Sequence, residues 1–191
     1  MSAPKNKKVI KAFVIPLIFP ILLWLIHIAA AVTDFDLYKM GLLPRNTAGL
    51  LGIITAPLIH GDFSHLISNT FPLIILGWII LFFYPKVSYF LFIFIYIVTG
   101  LLVWIFARQV YHIGASGIVY GFVSFLFFSG IFRKDNTSIT LALIITFLYG
   151  GIVWGMLPGM KGISWESHLL GAITGLIAAF LFRNVDPPAN K

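Results

Sequence analysis

The 191-residue chain contains no cysteine, and only 10% of its residues are charged. The absence of cysteine excludes structural disulfides, thiolate metal sites and a cysteine nucleophile. Ordinary soluble domains carry roughly 25% charged residues, so this scarcity of charge argues against a water-soluble globule. Because 60% of the residues are hydrophobic and the mean hydropathy is +1.00, a disordered chain is excluded as well. The composition predicts a multi-pass protein of a lipid bilayer.

Acidic residues are also scarce, at 6 against 13 basic residues, which gives a net charge of +7. The acids all lie in predicted loops or at predicted helix ends: Asp34, Asp36, Asp62, Asp135, Glu166 and Asp186. This placement excludes an intramembrane aspartyl protease, which needs two carboxylates within its spans. The basic residues are spread thinly between apolar runs, so we expect them to mark membrane topology and expect no nucleic-acid partner.

Apolar stretches predict six membrane-spanning helices in one domain over 1–191. We expect them at about 12–32, 64–84, 87–106, 115–132, 137–155 and 166–182, because a span needs about 20 apolar residues. The first run continues without a cleavage site and is interpreted as a helix rather than a signal peptide. The apolar stretch Leu50 to Ile59 is too short to span and contains Gly52 and Pro57. It predicts a re-entrant or interfacial segment, that is, a partly submerged loop, between the first and second helices of an all-α bundle.

The basic residues predict the orientation of this bundle. Nine fall on the side of the two termini: Lys5, Lys7, Lys8, Lys11, Lys86, Arg133, Lys134, Arg183 and Lys191. Four fall on the other side: Lys39, Arg45, Arg108 and Lys161. Because cytoplasmic loops retain Lys and Arg, both termini are expected in the cytoplasm. The simple six-span form favours a bacterial plasma membrane.

Polar residues within the spans are concentrated at the starts of the second, fourth and sixth predicted helices. With the N-terminus inside, these helices all run inward from the outer surface, so their starts share one depth. His65, Asn69, Ser116 and His168 therefore lie in one predicted layer. A rise of about 1.5 Å per residue puts this layer within about 10 Å of the outer rim.

Small residues at helical spacing predict close contact between the fourth and sixth helices. Gly117 and Gly121 recur four residues apart on one helix, and Gly171 and Gly175 on the other. Rows of this kind let two backbones approach closely. Such an approach is what a serine hydroxyl needs to reach a histidine ring.

A serine and a histidine in one layer indicate nucleophilic catalysis. Serine is a weak nucleophile until a neighbouring base takes its proton, and an imidazole can take it and return it later. Ser116 also lies at a helix start, where free backbone N–H groups can face an anion. We therefore predict a Ser116–His168 dyad, with an oxyanion site formed by the Ser116 N–H, His65 and Asn69.

At these residues the sequence resembles the rhomboid family of intramembrane serine proteases. The three matching segments run from His60 to Asn69 (H-x4-H-x3-N), from Gly114 to Gly117 (G-x-S-G) and from Ser167 to Gly175 (A-H-x2-G-x3-G). They occur in family order and cover the predicted six-helix core. Two features depart from the family pattern. Ser167 replaces the usual alanine, and Leu51-Gly52 stand where many rhomboids carry Trp-Arg.

The resemblance implies an endopeptidase that cuts single transmembrane helices near the outer surface through an acyl-enzyme. It implies a Ser116 nucleophile and a His168 base, with oxyanion contacts from His65 and Asn69. Further implied residues support or pack around the site: His60, Ala115, Gly114, Gly117, Tyr120, Gly171 and Gly175. Substrates of such proteases are single-pass membrane proteins that enter from the lipid between the second and fifth helices.

Other functions find less support in the sequence. The H-E-x-x-H motif of metalloproteases is absent, so no cofactor is expected, although His60, His65 and His168 gathered around zinc remain an alternative. The G-x-S-x-G elbow is excluded because residue 118 is isoleucine. A transporter would show internal symmetry or interrupted helices at the bilayer midplane. The non-enzyme alternative is an inactive rhomboid-like protein that binds transmembrane helices.

Several polar and aromatic residues have structural interpretations. Asp62 and Ser64 are predicted N-caps of the second helix. Tyr120 is predicted to lie in the core beneath the dyad. His27, in the middle of the first helix, is expected to pack or to contact water rather than to have a functional role. His112 is expected to be a solvated loop residue.

Overall fold

The computed structural model describes residues 5–159, 162 and 164–185, with backbone alone for 5–13. The described chain forms seven α-helices: α1 Lys5–Thr33, α2 Gly52–Thr55, α3 Phe63–Phe83, α4 Ser88–Phe106, α5 Ser116–Arg133, α6 Asn136–Tyr149 and α7 Trp165–Leu181. Four short 3-10 helices join them: Tyr38–Met40, Thr47–Gly49, Ala56–Leu58 and Gly150–Met156. These residues form no β-strand, apart from an isolated bridge between Leu42 and His112. The predicted all-helical architecture is confirmed.

Five of the described helical segments are long and apolar enough to cross a membrane: Val14–Thr33, Phe63–Phe83, Ser88–Phe106, Ser116–Arg133 and Asn136–Met156. The last helix, α7, is apolar but has only 17 residues. The chain is therefore built as a multi-pass membrane protein, whereas the count of six spans stays a prediction. The orientation also stays a prediction, and the side chains of Lys5, Lys7, Lys8 and Lys11 together with Lys161 and Lys191 lie outside the described residues.

Two predicted helix boundaries and one predicted N-cap are wrong. The first helix begins at Lys5 rather than near residue 12, because lysine is a good helix former and apolar character marks only the span. The α-helix predicted over 137–155 ends at Tyr149 and continues as the 3-10 helix Gly150–Met156, since glycine is a poor helix former. At α3, Asp62 caps the helix by accepting a hydrogen bond from the His65 N–H at 2.7 Å. Ser64 lies inside the helix and is not its cap.

The connection between α1 and α3 is packed against the rest of the bundle. The Gly114 N–H donates to the Ala56 carbonyl at 2.9 Å, and the Tyr96 hydroxyl donates to the Ile54 carbonyl. A methyl group at Gly52 would overlap the backbone of Leu42. The position that lacks the arginine of many rhomboids is therefore one where no side chain fits.

Helices α5 and α7 lie against each other along most of their length. A methyl group at Gly171 would overlap the backbone of Gly117, and one at Gly175 would overlap the backbone of Gly121. The predicted glycine rows thus face each other across this contact. Because the two helices lie this close together, their first turns meet at one end of the bundle.

Candidate active site

Ser116 and His168 meet where α5 and α7 begin. Ser116 is the first residue of α5, and His168 lies in the first turn of α7. The Ser116 Oγ and the His168 Nε2 are 2.8 Å apart, within hydrogen-bond distance. The His168 side chain is buried, whereas Ser116 is partly accessible. A partly accessible hydroxyl beside a buried imidazole is suited to attack a group that approaches from outside.

The opposite nitrogen of the His168 ring is occupied by the main chain. His168 Nδ1 lies 2.8 Å from the carbonyl oxygen of Gly155. A carbonyl oxygen only accepts hydrogen bonds, so Nδ1 must carry the ring proton. In the neutral ring Nε2 then carries the lone pair, and this lone pair faces the Ser116 hydroxyl. The contact with Gly155 therefore selects the tautomer that a general base requires.

Tyr120 fixes the plane of the imidazole. Its ring stacks on the His168 ring with a centroid distance of 4.2 Å and an interplanar angle of 9°. The Tyr120 hydroxyl donates to the Ile152 carbonyl at 2.8 Å. The 3-10 helix Gly150–Met156 thus supplies a carbonyl to each of the two stacked rings. The sequence reasoning missed Ile152 and Gly155, because carbonyl acceptors have no side-chain signature and only the glycines at 150, 151 and 155 marked this segment.

The motif at the start of α3 packs on the residues that precede Ser116. The His65 ring lies so close to Gly114 that a methyl group there would come within 2.7 Å of it. Gly114 also has a φ of +105°, a conformation that residues with side chains rarely adopt. Both the close contact with His65 and the backbone conformation therefore favour glycine here. Asn69 is buried, and its side-chain amide donates to the His65 carbonyl at 2.9 Å.

His60 completes this layer from the loop before α3. Its ring lies edge-on to the His65 ring, with centroids 4.9 Å apart. Its Nε2 accepts a hydrogen bond from the Ala115 N–H at 3.4 Å. Burial, followed by the neighbouring His65, lowers the pKa of His60 to about 3. His60 therefore stays neutral near pH 7, as an acceptor at Nε2 must.

Two histidines outside the predicted site have defined surroundings. His27 packs edge-on against Phe63, with ring centroids 4.6 Å apart. The expectation that His112 is solvated is wrong, since only 2% of it is exposed. Backbone hydrogen bonds to Leu42 in both directions draw it inward. This burial lowers the pKa of His112.

The described residues place a main-chain carbonyl rather than a carboxylate on His168 Nδ1. Glu166, the nearest acid to His168 in sequence, forms an ion pair with Arg108 at 2.9 Å. No group of three or more His, Asp or Glu side chains is arranged to bind a metal ion within the described part of the chain. The zinc alternative therefore gains no support there.

Comparisons with known proteins point to one family. The family model for the rhomboid domain matches residues 47–185. An uncharacterized protein of Mycobacterium tuberculosis is 36% identical over 176 residues, which cover 86% of this chain and 72% of that protein. An uncharacterized protein of Mycobacterium leprae is 33% identical over 176 residues, covering 86% of this chain and 69% of that protein. A protein of Acanthamoeba polyphaga mimivirus that bears the name rhomboid protein is 25% identical over 140 residues, covering 70% of this chain and 75% of its own length. The chain belongs to the rhomboid family.

Proposed function

We propose that this protein is an intramembrane serine endopeptidase that cleaves transmembrane helices with a Ser116–His168 dyad. One observation carries the proposal: the 2.8 Å contact between Ser116 Oγ and a His168 Nε2 whose partner nitrogen, Nδ1, is engaged by the Gly155 carbonyl. An inert packing serine does not require a histidine fixed in the basic tautomer.

The proposed reaction begins when His168 Nε2 takes the proton of the Ser116 hydroxyl. The Oγ then forms a bond to the carbonyl carbon of the scissile peptide, and the carbonyl oxygen becomes an oxyanion. The carbon–nitrogen bond breaks as the imidazolium gives its proton to the leaving amine, which leaves an acyl-enzyme. A water molecule, deprotonated by His168, attacks this ester, and Ser116 departs with the returned proton.

The oxyanion site is proposed at the start of α5. The Ser116 N–H is one of the free donors of a helix N-terminus. His65, on the neighbouring helix, lies against Gly114, two residues before the nucleophile. Asn69 uses its amide nitrogen for the His65 carbonyl, and an amide has a second N–H to offer. Removing one donor of this kind typically lowers the rate about 100- to 1,000-fold.

The substrates are proposed to be single-pass membrane proteins that reach the dyad from the lipid. The dyad lies in the first turns of two apolar helices rather than at their middle, which suits a cut near one membrane surface. Access between α3 and α6, as the family resemblance implies, is compatible with the strongly apolar outer face of α6. Phe147 on that face is 89% exposed. We propose a six-span arrangement with both termini in the cytoplasm of a bacterial cell, and the mycobacterial relatives are in line with this.

The proposal is tested by cleavage of a model transmembrane substrate in detergent. Wild type should cleave it, and Ser116→Ala and His168→Ala should be inactive to a similar degree, because dyad members act as a unit. A matched control is Ser88→Ala, at the start of α4, which should keep full activity. A fluorophosphonate probe should label wild type on Ser116 and leave His168→Ala unlabelled.

Three results would contradict this mechanism. Equal cleavage by wild type and Ser116→Ala would exclude Ser116 as the nucleophile, and loss of cleavage on adding a chelator would favour the zinc alternative. Substrate binding by wild type with neither cleavage nor labelling would support an inactive, helix-binding rhomboid.

A further inference from the structure

A second group of polar side chains joins the segments that lead into the two halves of the dyad. We call it the polar clasp, and it consists of Arg108, His112, Ser164, Glu166 and Ser167. Arg108 and His112 belong to the loop between α4 and α5, and the other three lie at the start of α7. The clasp is separate from the Ser116–His168 contact but lies at the same end of the bundle.

Two direct contacts cross the clasp. The Arg108 Nε lies 2.9 Å from a Glu166 carboxylate oxygen, and the His112 Nδ1 lies 2.5 Å from the Ser164 Oγ. One further contact lies within each side and reinforces it. The Ser164 and Ser167 hydroxyls are 2.6 Å apart, and the His112 Nε2 lies 3.0 Å from the Arg108 carbonyl. The loop and the helix start are thus joined at two points, each reinforced from within.

Glu166 makes the clasp sensitive to the loss of a partner. Its side chain is 7% exposed, whereas that of Arg108 is 52% exposed. A buried carboxylate is strongly disfavoured unless a positive charge compensates it. Apart from the ion pair with Arg108, neither Glu166 oxygen has a hydrogen-bond partner in the described residues, so this ion pair carries the compensation. Without Arg108, the buried carboxylate would lack its compensating charge, and the start of α7 that carries it would be expected to shift.

The clasp acts on the segments that determine the dyad distance. Arg108 precedes Ser116 by eight residues, and Glu166 precedes His168 by two. Below the dyad, α5 and α7 touch through Gly117 and Gly171. A contact between glycines sets how closely two helices approach, but it presents no side chains that resist sliding along the helix axis. Further along the helices, the Ser124 hydroxyl resists sliding by donating to the Ala172 carbonyl at 2.6 Å, and the ion pair resists it at the helix start.

We propose that the polar clasp fixes the axial register of α7 against α5, and that Arg108 and Glu166 are positioning residues for the Ser116–His168 contact. This inference rests on the proposed protease function. A displacement of about 1 Å at a reacting group can lower the rate about 100-fold. Breaking the ion pair should therefore slow the acylation of Ser116 without removing any group that touches the substrate.

The test measures the rate constant for fluorophosphonate labelling of Ser116 in detergent, per folded molecule as quantified by size exclusion. Arg108→Met and Glu166→Gln should each lower this constant by about 10- to 100-fold. The double variant should be no slower than the slower single variant, because both remove the same interaction. Arg108→Lys should recover part of the loss. With a transmembrane substrate, kcat should fall while KM stays within about twofold of wild type.

The controls separate a positioning role from simple destabilisation. Arg183→Met removes an arginine after the other end of α7 and should label like wild type. Ser164→Ala breaks the second crossing without changing charge and should slow labelling less than Arg108→Met does. If the charge variants do not fold, the labelling rate of Ser164→Ala alone tests whether the clasp positions the dyad.

The inference is overturned if the folded single variants label at the wild-type rate, or if their losses multiply in the double variant. It is overturned as well if Ser164→Ala is the only folded variant and labels like wild type. If wild type itself neither labels nor cleaves, the proposed protease function fails instead, so the two failures are distinguishable.

Discussion

Gly171 provides the most direct perturbation of the dyad, because it lies where α5 and α7 approach each other closely and yet is neither of the two reacting residues. It lies three residues after His168, and it faces Gly117, the residue after Ser116. Substitution by alanine adds a single methyl group at this contact. The change leaves every functional group of the proposed site in place.

The structure gives the size of the expected displacement. A methyl group at Gly171 would lie 2.9 Å from the Gly117 carbonyl carbon, whereas ordinary contacts of a Cβ begin at 3.4 Å. The helices must therefore separate by at least 0.5 Å, the difference between these values. The carbonyl oxygen is closer still, which raises the separation to about 1 Å. The Ser116–His168 distance of 2.8 Å would then reach about 3.8 Å, beyond hydrogen-bond distance.

We expect Gly171→Ala to lower kcat by about 100-fold, the loss that a misplacement of about 1 Å can cause, and to reduce stability by about 1–3 kcal/mol through overpacking. The assay is cleavage of a transmembrane substrate together with Ser116 labelling, corrected for the folded fraction. Gly151→Ala is the matched control, since a methyl group there meets nothing within 4 Å. Full activity of folded Gly171→Ala, or an equal loss in the control, would refute the reasoning.

Three further predictions concern the surroundings of the dyad. Gly155→Ala should lower kcat, because its methyl group would overlap the Tyr120 hydroxyl and come within 3.2 Å of the His168 Nδ1; wild-type labelling of this variant would contradict the role given to that carbonyl. Tyr120→Phe should lower kcat less than about tenfold, since it loses the hydrogen bond to Ile152, a net contribution of about 1 kcal/mol, but keeps the stacked ring; a complete loss of cleavage would show that the hydroxyl does more. Burial lowers the pKa of His60 from 6.5 to about 3. Between these pH values the unfolded chain binds more protons at His60 than the folded chain does. The stability that depends on neutral His60 is therefore lost as the pH falls through this window. His60→Gln should flatten the decline of the melting temperature in detergent between pH 6.5 and about 4, and an unchanged slope would contradict this assignment.

The sequence allowed the helices and the polar layer to be predicted because both depend on side-chain type and spacing. Apolar runs define spans, and residues at the starts of alternate helices share a depth. Ser116 and His168, 52 residues apart in sequence, could thus be placed in one layer without coordinates. Their roles, like the number of spans and the orientation, remain predictions.

The interactions that could not be predicted depend on the register between distant segments. The burial of His112 follows from its backbone pairing with Leu42, and the pairing of Glu166 with Arg108 follows from where the loop meets α7. Neither has a local pattern in the sequence. The change from α-helix to 3-10 helix at Gly150 lies inside an apolar run, and hydrophobicity alone does not distinguish the two kinds of helix.

The two carbonyls of the 3-10 helix Gly150–Met156 affect how mutational data on this protein should be interpreted. Exchanging a side chain leaves the backbone oxygen in place, so an alanine scan would report Ile152 as dispensable even though its oxygen anchors Tyr120. Homologues can likewise differ at this position and retain the same anchorage, provided the backbone follows the same path. Replacing the peptide bond by an ester, which weakens the carbonyl as an acceptor, would reveal a dependence that conventional mutagenesis overlooks.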